Sequence, residues 1–313
     1  VRAATIVDGR IEVREHPDPQ PGKGELLVRV QSAGINAADI MQVHGLYPAP
    51  PDSPPDIPGL ELAGEVQDVG PGVGRFGVGD WVMAVVGGGG QAELALVHER
   101  TAMPVPASLG LILAGGFPEA FTTAHDAIFT QCGLQPGERL LVHAAAGGVG
   151  TAGVQLGAAA GARVTATVRN PDLRDAVAGL GADTVIAPED AARHGPFDVV
   201  LELIGAPNLQ TDLDTLAVGG RISVIGVGAG AAAQIDLLSL MAKRGRIMGS
   251  TLRARALEQK ADAARRVESS VLPLVEAGRV TVPMAESFPL DEADVAYERF
   301  RAGGKLGKLV LLP

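Results

Sequence analysis

Short apolar runs punctuated by glycine and proline fill the first third of the chain. The middle alternates apolar runs with longer small-residue and amphipathic segments. The two regimes predict two folds. In residues 1–118, runs at 2–7, 25–30, 63–69, 80–86 and 92–97 are strand-length and closely spaced, the pattern of a partly antiparallel barrel or sandwich. Residues 45–58, GLYPAPPDSPPDIP, are too rich in proline for a helix or a central strand, so they form either a rigid loop or part of a substrate-site wall. From Glu119 onward, strands are expected at 139–144, 163–168, 184–187, 197–202, 220–226 and 246–250, with helices between most of them. That alternation is the signature of a doubly wound parallel sheet. Residues 257–277 read as a further helix, and 280–289, 291–301 and 308–312 as strand, helix and strand. The last three have no place in a six-stranded doubly wound sheet and are expected to rejoin the first domain. The expected organisation is α/β: a discontinuous β-rich domain, 1–118 with 254–313, and a doubly wound domain, 119–253.

The most informative segment is LLVHAAAGGVGTAGVQL, residues 140–156, which runs from an apolar strand through a small-residue turn into a helix. Ala145, Gly147 and Gly150 fall at the three spaced positions of a dinucleotide fingerprint. Ala145 permits the turn, Gly147 lets backbone approach a pyrophosphate, and Gly150 lets helix and strand pack closely. Gly148 and Val149 lie between them, where helix amides and the positive end of the helix dipole meet the phosphates. The end of the second strand selects the nucleotide. A carboxylate about 20 residues past the glycines would grip the ribose hydroxyls of NAD. The chain has Arg169 and Asn170 there. A guanidinium can hold a 2′-phosphate with paired donors, which points to NADPH, the alternative being a solvated surface arginine. Ile204 and Gly205 after the fourth strand, Gly226 and Val227 after the fifth, and Thr251, Leu252 and Arg253 after the sixth lie where such a sheet receives its ligand.

Composition narrows the partners. A chain of 313 residues with a net charge of −10 is not built to bind nucleic acid or an anionic membrane, although Lys243–Arg246 is locally basic. The single cysteine, Cys132, excludes an intrachain disulfide framework. No long uninterrupted apolar run suggests a membrane span, and no secretory leader precedes the first strand, so a cytoplasmic setting is expected. The four glycines 87–90 lack the Lys and Ser/Thr of a phosphate loop. The histidines at 16, 44, 98, 125, 143 and 194 show no close paired spacing, and His143 reads as a core residue of the first doubly wound strand.

A resemblance spans essentially the whole chain. AGINAADIMQVHGLYPAPP (33–51), PGLELAGEVQDVGPGV (58–73), GDWV (79–82), GGGQAE (88–93), PEAFTTA (118–124), HAAAGGVG (143–150) and GKLVL (307–311) occur in register. Together they resemble the zinc-independent quinone oxidoreductase branch of the medium-chain dehydrogenase/reductase superfamily. PEA, GGGQA and KRGRIMGSTLRAR (243–255) are most similar to the p53-inducible-type quinone oxidoreductases. The resemblance implies a GroES-like substrate domain, a Rossmann domain, NADPH, and a homodimer joined through the edge strand of the nucleotide-binding sheet, here 245–250. It also implies that Asn36, Asp39 and Tyr47 line the acceptor cleft, Tyr47 also covering the nicotinamide. Asn36 and Asp39 equally suit the capping of a short helix. Thr122 or Thr123, at the start of a helix, would bond the nicotinamide end or ribose, or else its own helix turn. Lys308 would approach the cofactor or stand in solvent.

Zinc members of that superfamily carry Cys where Asn36 stands and His where Leu60 stands, and one cysteine cannot build a four-Cys lobe. Glu61 alone makes no metal site. Near the 2′-phosphate the chain departs from its relatives: Asn170 replaces Ser, Asp172 stands where Lys is expected, and Ala187–Pro188 replaces an Asn-Tyr pair. Arg169 with Arg174 would have to compensate. The expected activity is NADPH-dependent reduction of a quinone, which accepts hydride without a metal. Reduction of an activated alkene, such as an enone or 2-alkenal, is the second reading. A low-turnover NADPH-binding redox sensor is the third.

Overall fold

The Asp8–Gly9 pair starts the fold: both residues take positive φ, the backbone that a two-residue hairpin turn requires. It joins β1 (Arg2–Val7) to β2 (Arg10–Glu15) in an antiparallel ribbon. In this computed structural model, which describes residues 1–313, β3 (Glu25–Ile35) is the backbone of the next sheet. It is long enough to pair with both β4 (Glu61–Val69) and β6 (Leu94–His98). β5 (Trp81–Val85) and β7 (Ala102–Pro104) extend the sheet beyond β4. Alternate residues of these strands, Leu26, Val28, Leu62, Val66 and Val82 among them, are fully buried in one cluster. α1 (Ala37–Val43) leaves the end of β3, and residues 45–58 form neither helix nor strand, as their prolines require.

After α2 (Leu111–Ala114) and α3 (Pro118–His125) come six strands that are parallel throughout. They are β8 (Arg139–Val142), β9 (Arg163–Thr167), β10 (Thr184–Ile186), β11 (Phe197–Glu202), β12 (Leu216–Val224) and β13 (Arg246–Gly249). Their order, β10-β9-β8-β11-β12-β13, is that of a dinucleotide-binding sheet, reversing direction of growth between β8 and β11. α4 (Gly148–Ala159) packs on it through glycines: a Cβ on Gly153 would lie 2.7 Å from Leu201, and one on Gly157 2.5 Å from Leu140. α5 (Arg174–Ala178), α6 (Leu209–Asp214) and α7 (Leu237–Lys243) complete the crossovers that contain helix.

The helix expected over 257–277 is two, α8 (Leu257–Ser270) and α9 (Leu272–Glu276). Pro273 explains the break, since it lacks an N–H and its ring crowds the carbonyl four residues back. The strand expected from 280 begins later, as β14 (Met284–Pro289), just after Pro283. α10 (Ala293–Ala302) and β15 (Lys308–Leu312) follow. β15 pairs parallel with β14 and antiparallel with β3, so the carboxy-terminal strands belong to the amino-terminal sheet. One compact unit comprises Val1–Glu119, Leu252–Gly303 and Lys308–Pro313; the other comprises Ala120–Thr251 and Gly304–Gly307.

Candidate functional site

In the doubly wound unit, the strand-to-helix turn is held from several sides. Ala145 N donates to Thr167 O at 3.1 Å, Gly307 N donates to Ala146 O at 2.7 Å, and Gly147 caps α4. A Cβ on Gly150 would lie 2.4 Å from Ala144 O and 2.7 Å from Ala145 Cα, so only glycine lets the turn close on the helix. A Cβ on Gly147 would meet only Ala144 O, at 3.4 Å. The space before that backbone is open to a ligand, and the amides of Gly148, Val149 and Gly150 belong to the helix turn that lacks internal acceptors. A dinucleotide pyrophosphate fits this cradle.

Around the end of β9 the expected phosphate ligands separate. Arg169 is exposed and makes no hydrogen bond within the chain. Asn170 Oδ1 accepts from Asp172 N at 3.1 Å and so caps the turn at Pro171–Leu173. Arg174 Nε donates to Val168 O at 3.3 Å, which leaves its terminal nitrogens for another acceptor. Thr122 and Thr123 stand in the second turn of α3 rather than at its start, because Pro118 already occupies the first helical turn. Thr122 Oγ1 is buried without a partner, an orphan that a ligand hydroxyl or amide would satisfy. Beyond β11, Ile204 N and Gly205 N both donate to Glu202 Oε1, the latter at 2.7 Å. Gly205 has φ +108°, and a Cβ on Gly226 would strike Leu203 O at 2.2 Å, so both loops depend on glycine. Val227 and Thr251 are exposed beside these loops.

Beneath the same strand ends lies an acidic cluster that the sequence pattern did not reveal. His143 is a core residue, but one held in a polar network. Its Nδ1 meets Thr167 Oγ1 at 3.1 Å, and its Nε2 lies 2.7 Å from Asp212 Oδ1 and 3.7 Å from Glu202 Oε2. Burial pushes Glu202 up to about 7, with Asp212 adding to the rise. Burial works against the His143 imidazolium, and the hydrogen bond and charge of Asp212 overcome it, so His143 titrates above its ordinary value. The three ligand-capable side chains come within 4.8 Å of one another. The 2.7 Å contact is a hydrogen-bond length, too short for an ion held at about 2.0–2.1 Å from both atoms in tetrahedral geometry.

In the other unit, the residues expected to be catalytic form a second buried cluster. Lys308 is 4% exposed, so it is not a solvated lysine. Its Nζ lies 2.5 Å from Glu61 Oε1 and donates to Asn36 Oδ1 at 2.6 Å and Ile35 O at 3.2 Å. Asn36 Nδ2 donates to Glu61 Oε1 at 2.9 Å, while Glu61 Oε2 accepts from Glu119 N at 2.8 Å. Both ends of the Asn36 amide are thus committed within the protein. Asp39 caps α1 and ties it to the next strand, accepting from Asn36 N at 2.8 Å and Gly59 N at 3.1 Å. It is fully buried, and desolvation raises it to about 6 against those two hydrogen bonds. Gly34 makes room for the cluster, since a Cβ there would lie 2.1 Å from Glu61 Oε1.

Arg253 is buried too, and it works as a staple. It donates to Gly87 O at 2.7 Å, Tyr47 O at 2.8 Å and Gln42 Oε1 at 2.6 Å, with its guanidinium 5.1 Å from the centre of the Tyr47 ring. Leu252 beside it is 8% exposed. These bonds fix the proline-rich loop against α1 and the glycine run. A cavity of about 550 Å³ within this unit is walled by Pro54, Ile57, Gly88, Leu96, Arg253 and Lys260, among others. The proline-rich loop is therefore part of a cavity wall. Asn36, Asp39 and Tyr47 do not line that cavity.

Glu61, Glu202 and Asp212 are the polar residues that reading the sequence did not bring forward as a network. The only signal was a carboxylate inside an otherwise apolar strand or helix face. No helix is long and apolar enough to cross a membrane. Residues 22–130 match the family model described as an alcohol dehydrogenase GroES-like domain, and residues 148–268 the one described as zinc-binding dehydrogenase. The chain is 31% identical over 305 residues to a quinone oxidoreductase of Rattus norvegicus, covering 94% of this chain and 91% of that protein. It is 29% identical over 341 residues to an acryloyl-coenzyme A reductase of Metallosphaera sedula, covering 98% and 99% respectively. Among solved structures, a mycobacterial protein complexed with NADPH superposes with a TM-score of 0.89 at 25% identity, over 100% of this chain and 99% of that one.

Proposed function

We propose that this chain, which belongs to the quinone oxidoreductase branch of the medium-chain dehydrogenase/reductase superfamily, is an NADPH-dependent, zinc-independent quinone reductase. The observation that carries the reading is the buried Lys308 ammonium bonded to Glu61 and Asn36. Zinc relatives use Cys and His at the positions of Asn36 and Leu60. Here an organic cation already neutralises the carboxylate next to them, which supports an acceptor that needs no metal to be reduced. Quinones meet that condition.

The turn Ala145–Gly150 holds the pyrophosphate through backbone amides, Gly147 giving the close approach. Arg169 and the free end of Arg174 hold the 2′-phosphate, and Asn170 shapes the turn that presents them. Thr122, with Thr123 beside it, donates to the ribose or nicotinamide end; Ile204, Gly205, Gly226, Val227 and Thr251 form the adjoining wall. When bound, the reduced nicotinamide supplies the hydride. In the first unit, Tyr47, held by Arg253 and flanked by Leu252, offers an apolar ring to the nicotinamide and acceptor. Asn36 and Asp39 act as positioning residues, and Lys308 fixes Asn36. Solvent supplies the proton.

Specificity constants with NADPH and NADH against panels of quinones and 2-alkenals test this reading. A preference for quinones with NADPH is expected. A preference for alkenals would favour the activated-alkene alternative, which the acryloyl-coenzyme A reductase relative supports. One charged hydrogen bond is worth about 1.5–3 kcal/mol, so Arg169→Asp should cost roughly ten- to a hundredfold in NADPH affinity and spare NADH. An unchanged NADPH affinity refutes the assignment.

We also infer a homodimer. β13 is paired on one side only, and neighbouring α7 exposes Leu237, Leu238 and Met241, each at least 65% accessible. An open edge beside apolar side chains suits strand pairing with a second copy. Light scattering should give twice the 31.9 kDa chain mass, and Leu238→Glu with Met241→Glu should halve it.

A further inference from the structure

Glu202 is the most connected residue under the dinucleotide rim. Its carboxylate Oε1 receives Ile204 N and Gly205 N, and Oε2 receives Asn208 Nδ2 at 3.1 Å. Its backbone carbonyl receives Ile225 N at 2.9 Å and Gly226 N at 3.2 Å. One residue therefore sets both loops that follow β11 and β12. His143 performs the same service on the other side of the switch point. Its N donates to Leu201 O at 3.1 Å, and its ring meets Thr167, whose carbonyl receives the amide of Ala145.

The charges do not balance if all three groups ionise. Two carboxylates and one imidazolium leave a net negative charge in the interior, which is costly. The charged groups that act on His143 are Asp212 from α6 and Glu202 from β11; Thr167 against its ring and Asn208 on Glu202 are neutral. Asp212 Oδ2 has no donor at all. A proton on Glu202, shared with Asp212, removes the excess charge and supplies a donor between the two carboxyl groups.

We propose that His143, Asp212 and Glu202 are positioning residues of the dinucleotide site, a proton-sharing unit that holds the 203–205 loop in its binding geometry. The inference rests on the dinucleotide reading above. Losing the shared proton sets two carboxylates against each other and places net negative charge beneath a rim that receives a pyrophosphate. Dinucleotide affinity must then fall as the unit deprotonates, and binding must take up protons.

Glu202→Gln mimics the protonated state, keeping an acceptor for Ile204 and Gly205 and offering an amide to Asp212. We expect NADPH to bind the wild-type chain roughly tenfold more weakly at pH 8.5 than at pH 6.5, beyond the change seen for Glu202→Gln. The variant serves as the reference for the titration of the cofactor's own phosphate. Calorimetry at pH 7.5 in phosphate and in Tris should show proton uptake in excess of the variant's. Identical pH profiles, or loss of binding by the variant at every pH, would overturn the proposal.

Amide exchange at Ile204 and Gly205 in the free protein needs no cofactor. It should accelerate between pH 6.5 and 8.5 more in the wild type than in Glu202→Gln, and equal acceleration overturns the proposal. A chain that binds neither NADPH nor NADH fails the dinucleotide reading, and the exchange data then still decide the role of the unit in the loop. If Glu202→Gln does not fold, Asp212→Asn, which also removes the carboxylate pair, replaces it in both measurements.

Discussion

Around Glu61 the compensating cation is a lysine ammonium; around Glu202 it is an imidazolium and a shared proton. Both clusters are buried, and both stand beneath residues proposed to receive a ligand. Glu61 has a permanent partner at 2.5 Å and donors on both oxygens. That pair is a scaffold with its counter-ion built in. In the Glu202 cluster one carboxylate oxygen, Asp212 Oδ2, has no donor, so the charge of the cluster follows the solution. The difference is one of placement: a carboxylate with a donor on each oxygen is held, and one with an orphaned oxygen becomes responsive to protons.

The largest effect should come from removing the permanent cation. Lys308→Met leaves Glu61 charged, buried and without its ion partner, which costs about 3–5 kcal/mol when a buried pair is broken on one side. Adding Glu61→Gln should recover most of that loss, since the remaining pair is neutral. Urea unfolding of the two single variants and the double variant gives the coupling. A Lys308→Met loss below about 1 kcal/mol would mean that water reaches the pair, and the contrast between the clusters would disappear.

Next is the response of stability to pH. Asp39 rises in the folded chain from its ordinary 3.8 to about 6 through burial. Between those values the folded state holds a proton that the unfolded state has lost, so stability falls as pH rises from about 4 to 6 and then levels. About two units correspond to roughly 3 kcal/mol. Glu202, raised from 4.5 to about 7, extends the decline through pH 7, and His143, raised above 6.5, adds stability at low pH that is lost as pH passes its folded value. Stability measured from pH 4.5 to 8 should therefore decline more steeply up to about pH 6, where both carboxyl groups contribute, than from 6 to 7. Asp39→Asn should reduce the slope only below pH 6, and Glu202→Gln should reduce it throughout the range up to about 7. Identical effects of the two variants would show that the two groups are not independent.

The contrast also explains what the sequence could show. The strand runs, the glycine turn and the return of β15 to the first sheet were legible because periodicity and small residues report backbone geometry directly. Gly150 is one example: its helix–turn contact is fixed by an absent side chain, and the spacing announces it. Asn36 and Asp39 were visible as helix-cap types, and Asp39 does bond the Asn36 amide. The Asn36 side chain was not legible, because its partners Glu61 and Lys308 are 25 and 272 residues away. Lys308 read as either solvated or cofactor-bound; only the pairing of β15 with β3 places its ammonium beside Glu61. Likewise nothing in LLVHAAAGG says that His143 faces Asp212, 69 residues later. Local rules describe elements, whereas charge compensation is decided by which elements meet.

The smallest effect tests the proton-carrying side most directly. Thr167→Val keeps the shape and strand preference of the residue and removes the hydroxyl 3.1 Å from His143 Nδ1. The imidazolium carries N–H on both ring nitrogens, so it needs an acceptor at each, whereas the neutral ring needs only one. Losing Thr167 Oγ1 therefore penalises the charged form more than the neutral form. The His143 titration should move down toward its ordinary value, and the low-pH stability it contributes should begin to disappear at a lower pH. The loss should be about 1–2 kcal/mol below pH 6 and smaller above pH 8, the range of one buried hydrogen bond with partial charge assistance. Imidazole NMR shifts and unfolding curves at the two pH values report the two halves of this expectation. An equal loss at both pH values would mean that His143 stays neutral and that Asp212 holds its partner as an ordinary acceptor, which would remove the imidazolium from the contrast between the clusters.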